Sequence, residues 1–402
     1  KDFGDASARL LSPIVAEMFP DLDLVYESTL QFPESSTHTL DSTNLQPSDW
    51  CLMAQFILDN YASYDGFVVL HGTDSMDFTG SALPFLLNCV DANGIGTAVL
   101  SKPVIVTGSQ VPMFYQKPPP NPQTNPPTPP APLQINFNTD AFQNFCGAVA
   151  CARLGIPEVG VYFDSNLFRG NRVLKINASE FRAFDSPNYP AMAQYGIELD
   201  LEPELMLPGP VHASVSLDNP DALAQAQAQL AAITTAIDLH PVMQFNAFPA
   251  AYSTSAATAV LANLITACVD QGIKGLVLES YGEGNFPSGN PDSPKDGAIY
   301  KALSAAASND VVLLDCTQVI AGTVNDSAYA SGAWLPDAGV LSSSDMTPMA
   351  GLAKLTVLLA AASFNNWTSE QLKTLVQLNL QGEMQNVSRL DSRTNHTLLA
   401  GQ

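Results

Sequence analysis

The stretch Tyr64-Asp65-Gly66-Phe67-Val68-Val69-Leu70-His71-Gly72-Thr73-Asp74-Ser75-Met76 decides the fold. The apolar run from Gly66 to Leu70 reads as a strand buried on both faces, the kind found in parallel sheets covered by helices. It stops at the polar tetrapeptide His71-Gly72-Thr73-Asp74. Upstream, Trp50, Met53, Ile57 and Tyr61 recur at helical spacing behind Ser48 as N-cap. Downstream, Thr79 caps an apolar helix through Leu87, and Pro103 to Val106 forms the next apolar run, ending in Thr107-Gly108-Ser109-Gln110. Alternation of strand, turn, helix and strand implies a parallel sheet with right-handed crossovers. Ligands of such sheets bind beyond the carboxyl ends of the strands, where both polar tetrapeptides fall.

Farther along, a helix is expected from Asp140 through Ala150 and a strand from Glu158 to Phe163. Pro203, Pro208, Gly209 and Pro210 then interrupt the pattern between Glu202 and Val215. Beyond lie expected helices Ala222 to Ile237, Ser255 to Val269, Gly297 to Ala307 and Met349 to Ala361, with strands Gly275 to Leu278 and Val311 to Leu314. The expected class is α/β: a larger parallel-sheet, flavodoxin-like N-terminal domain over 1–205 and a smaller α/β C-terminal domain over 239–383. Residues 206–238 connect them, and 384–402 form a polar tail. Nine of the fifteen residues from Pro118 to Pro132 are proline. They mark a surface insertion at 117–132 with no capacity to donate to a ladder.

The 402 residues are 46% hydrophobic and 14% charged, which excludes a disordered chain. Lys and Arg total 16 against 39 Asp and Glu, a formal charge of −23 that repels phosphate backbones and anionic lipid. Nucleic-acid and membrane partners are therefore not expected, and no apolar run reaches the roughly 18 residues of a membrane span. The start, Lys1-Asp2-Phe3-Gly4, reads as a processed or incomplete terminus. Histidines 38, 71, 212, 240 and 396 and the six cysteines form no metal or redox signature, so no metal is expected and the histidines read as hydrogen-bonded structural groups. Few charges and an acidic balance lean toward a secreted chain.

A hydroxyl beside a carboxylate at a strand's carboxyl end, as in Thr73-Asp74, can bind a polar substrate or move a proton, although alone it also reads as a helix cap. Asp41-Ser42-Thr43-Asn44 alone reads as a turn. Together the segments have a recognisable order. Asp41 to Trp50, Tyr64 to Met76 and Lys102 to Gln110, followed by Leu167-Phe168-Arg169-Gly170-Asn171-Arg172, Ser280-Tyr281-Gly282-Glu283-Gly284-Asn285, Thr317-Gln318, Gly322-Thr323-Val324-Asn325, Ser344-Asp345-Met346-Thr347 and Lys354-Leu355, resemble the L-asparaginase family. The likeness runs over roughly 20 to 383 and is nearest to the bacterial cytoplasmic (type I) branch.

That resemblance implies hydrolysis of asparagine to aspartate and ammonia through a threonine acyl-enzyme, without a cofactor. Thr73 then assists proton transfer or positions water, and Asp74 grips the substrate's α-amino group. Asp41, Ser42 and Thr43 hold the α-carboxylate and α-amino group. Asn285 matches a residue that the family's smaller domain contributes across a subunit interface, which implies a homodimer or homotetramer. The resemblance also implies a cytoplasmic protein, against the lean of the composition, and leaves open the preference between glutamine and asparagine.

Three departures stand beside the matches. No Thr-Gly-Gly-Thr motif, the family's nucleophile carrier, precedes Asp41. The lysine expected to pair with the second threonine, sought on the helix after Asp140, is missing: Arg153 is the sole basic residue from Ala141 to Gly155, and arginine cannot act as a base. Glu279 and Val319 stand where the type I branch has an allosteric arginine and cysteine. Two readings follow: an amidohydrolase whose nucleophile-bearing N-terminal strand is absent from this chain, or a non-catalytic asparaginase-like binding or structural protein. Arg169 and Arg172 read as structural ion-pair donors.

Overall fold

The computed structural model describes residues 9–27, 29–36, 39–117, 132–252, 258–325 and 332–385. The proline run at 118–131 and the tail from 386 lie outside the described residues.

A short helix, α1 (Ser12–Met18), comes before α2 (Pro47–Asp59). Pro47 occupies the first turn of α2, where its missing N–H costs nothing, and the side chains of Gln46 and Asp49 close a capping box. The N-cap is thus Gln46 and not Ser48. Three parallel strands follow, β1 (Phe67–Leu70), β2 (Val104–Thr107) and β3 (Val159–Phe163), alternating with α3 (Met76–Leu86) and α4 (Ala141–Ala152).

The sheet then reverses direction. Asp164 and Ser165 adopt φ of 46° and 65°. Two successive left-handed residues form the primed turn that suits a two-residue hairpin, so β4 (Asn166–Arg169) returns antiparallel to β3. β5 (Ala193–Tyr195) and β6 (Leu199–Leu201) extend the antiparallel half. The order β1-β2-β3-β4-β5-β6 leaves β1 outermost among the described residues, with Leu70 41% exposed.

A long helix, α5 (Pro220–Ala236), leads to a second sheet. β7 (Val242–Asn246), β8 (Gly275–Ser280), β9 (Val312–Thr317) and β10 (Val340–Ser342) are all parallel and in chain order. Residues alternate between its faces. Leu276, Leu278 and Leu313 join the core under α6 (Val260–Asp270) and α7 (Ala298–Ser308), whereas Val277 and Leu314 meet α8 (Pro348–Ala361). α8 also packs on α3 and α5, so one apolar core runs from the first sheet's layer into the second's. The last helix among the described residues, α9 (Ser369–Gln377), packs on α8.

Buried ion pairs fasten the same junction. Arg169 meets Glu158 at 2.6 Å, and Arg172 meets Asp345 at 2.7 Å while donating from Nε to the Gly382 carbonyl at 2.7 Å. Lys354 and Glu383 pair at 2.6 Å with both side chains fully buried. Burial pushes the Glu383 carboxyl up, but Lys354 and the N–H groups of Leu380 and Gln381 outweigh it and hold it below its ordinary value. Arg169 and Arg172 are structural donors, as the sequence suggested. No described helix is long and apolar enough to cross a membrane, and the described residues contain no cluster of three or more His, Cys, Asp or Glu able to hold a metal ion.

Candidate active site

The site lies at the carboxyl ends of β1 and β2, where both polar tetrapeptides were expected. After Leu70 the chain turns through 71–75 into α3, whose N-cap is Ser75. Thr79, expected to cap, lies inside the helix instead, with Oγ1 2.8 Å from His71 Nε2. His71 is thereby a satisfied structural group. Two glycines permit the approach of the segments: a Cβ at Gly72 would fall 2.5 Å from Ser42 Oγ, and one at Gly108 would fall 2.1 Å from the His71 carbonyl oxygen.

Asp41 opens a 3-10 turn over Ser42–Asn44. Its Oδ1 accepts from the Thr43 N–H and hydroxyl, both at 3.0 Å, and these bonds hold its carboxyl below the ordinary value. Ser42 is buried against the 72–75 loop: its Oγ accepts from the Asp74 N–H at 3.3 Å, and its carbonyl accepts from Ser75 Oγ at 2.6 Å. Asp41, Ser42 and Thr43 are therefore brought to the same loop as Thr73 and Asp74.

Sequence reasoning missed the basic residue. Lys175 Nζ donates to Thr73 Oγ1 at 2.9 Å and to Asp74 Oδ1 at 2.8 Å, and Thr73 Oγ1 donates to Gln110 Oε1 at 3.1 Å. The lysine absent from the helix after Asp140 comes from the short ribbon Leu174–Lys175, paired antiparallel with Phe184–Asp185. The available signal was position: Lys175 lies three residues beyond Leu167 to Arg172, a segment of the family likeness. Asp140 has a different role: its two oxygens accept the N–H groups of Gln110 and Val111 at 3.0 and 3.1 Å, which aims Gln110 at Thr73.

Asn285 stands apart in the smaller unit, in the turn after β8, where Tyr281 and Asn285 exchange backbone bonds at 3.0 and 2.8 Å. Glu279, the penultimate residue of β8, is half-buried, and burial pushes its carboxyl up. Val319 is 49% exposed.

A hydroxyl, an ammonium and a carboxylate thus meet at the carboxyl ends of the parallel strands of a mixed sheet that is joined to a second α/β unit. In the family comparison, residues 14–118 and 134–206 match the N-terminal asparaginase domain, 238–373 match the glutaminase/asparaginase C-terminal domain, and the chain belongs to the asparaginase family. It is 32% identical to L-asparaginase 1 of Escherichia coli K12 over 349 residues, 87% of this chain and 83% of that one. It is also 32% identical to the 60 kDa lysophospholipase of Mus musculus over 351 residues, 86% of this chain and 49% of that one. The crystal structure of L-asparaginase I from Vibrio cholerae superposes with a TM-score of 0.62 at 29% identity, covering 94% of this chain and 92% of that one.

Proposed function

We propose that the protein is an L-asparagine amidohydrolase working through a threonine acyl-enzyme. The observation that carries this reading is Lys175 Nζ bridging Thr73 Oγ1 and Asp74 Oδ1 at 2.9 and 2.8 Å. A hydroxyl within hydrogen-bond reach of an amine is the arrangement for moving a proton to or from an attacking water or nucleophile. Asp74, half exposed beside it, meets the α-ammonium of the substrate, and the turn at Asp41, Ser42 and Thr43 meets the α-carboxylate with its donors. Asn285 completes the site of a second copy in a homo-oligomer. Residues 1–205 and 239–383 act as its two domains, with 206–238 between them.

The nucleophile-bearing strand belongs, in this reading, at the open edge of β1. Phe67 and His71 donate to the carbonyls of Pro103 and Thr107, so alternation turns the amides of Val68 and Leu70 to the side that no described strand covers. The segment 22–27 alternates half-buried Leu22, Leu24 and Tyr26 with exposed Asp23, Val25 and Glu27. It packs in one cluster with Val68 and Phe145. No backbone hydrogen bond joins 23–27 to β1 among the described residues. One strand added along β1 would complete its ladder, pack near this segment and deliver a threonine beside Thr73.

The test is asparagine-dependent ammonia release by the native preparation, with peptide sequencing of every polypeptide it contains. Turnover that falls about 10²–10⁴-fold in Thr73→Ala is expected, the usual scale for losing a proton-transfer group. A second reading, a non-catalytic binding protein, draws on the engagement of Asp74 by Lys175, which occupies the carboxylate meant for substrate. Aspartate binding without any asparagine turnover, in a preparation holding this chain alone, would establish it.

A further inference from the structure

We propose that Asp77 is the positioning residue that fixes Lys175 against Thr73, an inference that rests on the amidohydrolase reading. Asp77 is the second residue of α3, immediately after the loop that carries Thr73 and Asp74. An aspartate in a first helical turn ordinarily serves its own helix from the solvent side. This one is 3% exposed, and it reaches across to another part of the chain. Its Oδ2 accepts the backbone N–H of Lys175, 98 residues later, at 3.2 Å, while Oδ1 accepts the Phe78 N–H at 3.1 Å. Burying a carboxylate is costly, so its partners must supply a compensating gain.

Lys175 needs such a holder. Its ribbon pairs over only two residues, Leu174 and Lys175, which is too short to fix a long side chain by itself. Upstream, the buried Arg172 is tied to Asp345 and the Gly382 carbonyl. Asp77 adds the anchor at Lys175 itself. The lysine is then gripped at both ends from one loop-to-helix junction: its N–H by Asp77, its Nζ by Thr73 and Asp74. Any movement of α3 carries holder and target together, so the Nζ to Oγ1 distance is preserved.

The test compares Asp77→Ala, Asp77→Asn and Asp49→Ala in the intact protein. Asp49 is an equally buried first-turn carboxylate, but it serves Gln46 at the start of α2 and does not touch Lys175. Two readouts are taken: kcat and KM for asparagine, and the acetylation rate of Lys175 by mass spectrometry relative to Lys102. The two lysines are matched in side-chain exposure, 19% and 17%. Asp77→Ala is expected to lower kcat about 100-fold with KM within about threefold, and to raise relative Lys175 labelling about tenfold, as for a catalytic group displaced by roughly 1 Å. Asp77→Asn, whose amide oxygen still accepts from the Lys175 N–H, is expected to recover most of both. Asp49→Ala is expected to lose comparable stability and leave both readouts unchanged. Folded Asp77→Ala with unchanged kcat and labelling, or equal changes in Asp49→Ala, overturns the proposal. Absence of asparagine turnover even in the unsubstituted protein would instead overturn the amidohydrolase reading, and the labelling ratio would then decide the role of Asp77 alone.

Discussion

Phe67-Val68-Val69-Leu70 of β1 and Gly275-Leu276-Val277-Leu278 of β8 are nearly the same apolar message, yet the fold receives them differently. β8 has a hydrogen-bonded neighbour on each side and helices on both faces, and Leu276, Val277 and Leu278 are all fully buried. Among the described residues β1 has β2 alone, and its fourth residue, Leu70, remains 41% exposed where Leu278 is 0% exposed. Composition sets how much burial a strand demands, whereas the number of its neighbours sets how much it receives. The deficit lies in the strand from which the 71–75 loop and Thr73 emerge, and a strand inserted there is what the proposed function requires.

The largest expected effect separates chemistry from architecture. Lys175→Ala is predicted to lower asparagine turnover about 10³-fold, about 4 kcal/mol of barrier, while its thermal unfolding changes little. Steady-state kinetics with calorimetry checks this. Turnover within tenfold would return Lys175 to the rank of a surface ion-pair donor. At the fully built junction the order is reversed. Lys354→Met is predicted to cost about 3–5 kcal/mol because it strands Glu383 in the core, and the double change Lys354→Met with Glu383→Leu to recover most of that loss. Denaturant unfolding reads both variants.

The two strands can then be compared directly. Leu278→Ala is predicted to cost about 2–5 kcal/mol, the range for a fully buried leucine. Leu70→Ala in the active preparation is predicted to approach the same range if a strand covers it. A loss below about 0.5 kcal/mol, typical of a surface position, would mean that the edge stays open. A smaller effect concerns acid. Glu383 is held below its ordinary carboxyl value in the fold, so its contribution is present above the unfolded-state value and is lost as pH falls through the folded one. Unfolding free energy is therefore predicted to decline below about pH 4, the ordinary carboxyl range, less steeply in the double variant than in the parent.

Much of the architecture is legible in the chain because apolar runs bounded by Gly, Pro and short polar turns leave few alternatives to parallel strands and crossover helices. The reversal after β3 is carried by Asp164 and Ser165 alone, two residues whose left-handed backbone has no strong marker without glycine. The start of α3 was misplaced at Thr79 because a threonine before an apolar run resembles a cap, whereas here its hydroxyl serves His71. Thr73, Asp74 and the turn at Asp41, Ser42 and Thr43 are legible as candidates because each sits next to an element boundary within a segment that resembles the family. Lys175 was not, because hairpin β3–β4, the Arg172 anchor and Asp77 together bring it to Thr73 across 102 residues of sequence. Pairings that distant are set by tertiary packing, which neither periodicity nor local spacing records.

Hydrogen exchange at the Val68 and Leu70 amides of the native, asparagine-hydrolysing preparation addresses the central claim most directly. Protection equal to that of the Ile105 amide in β2 is the predicted result, since a strand docked on β1 would bond both outward amides. Exchange at the rate of unpaired backbone, with turnover intact, would show that the edge is open in the working enzyme and would contradict the account.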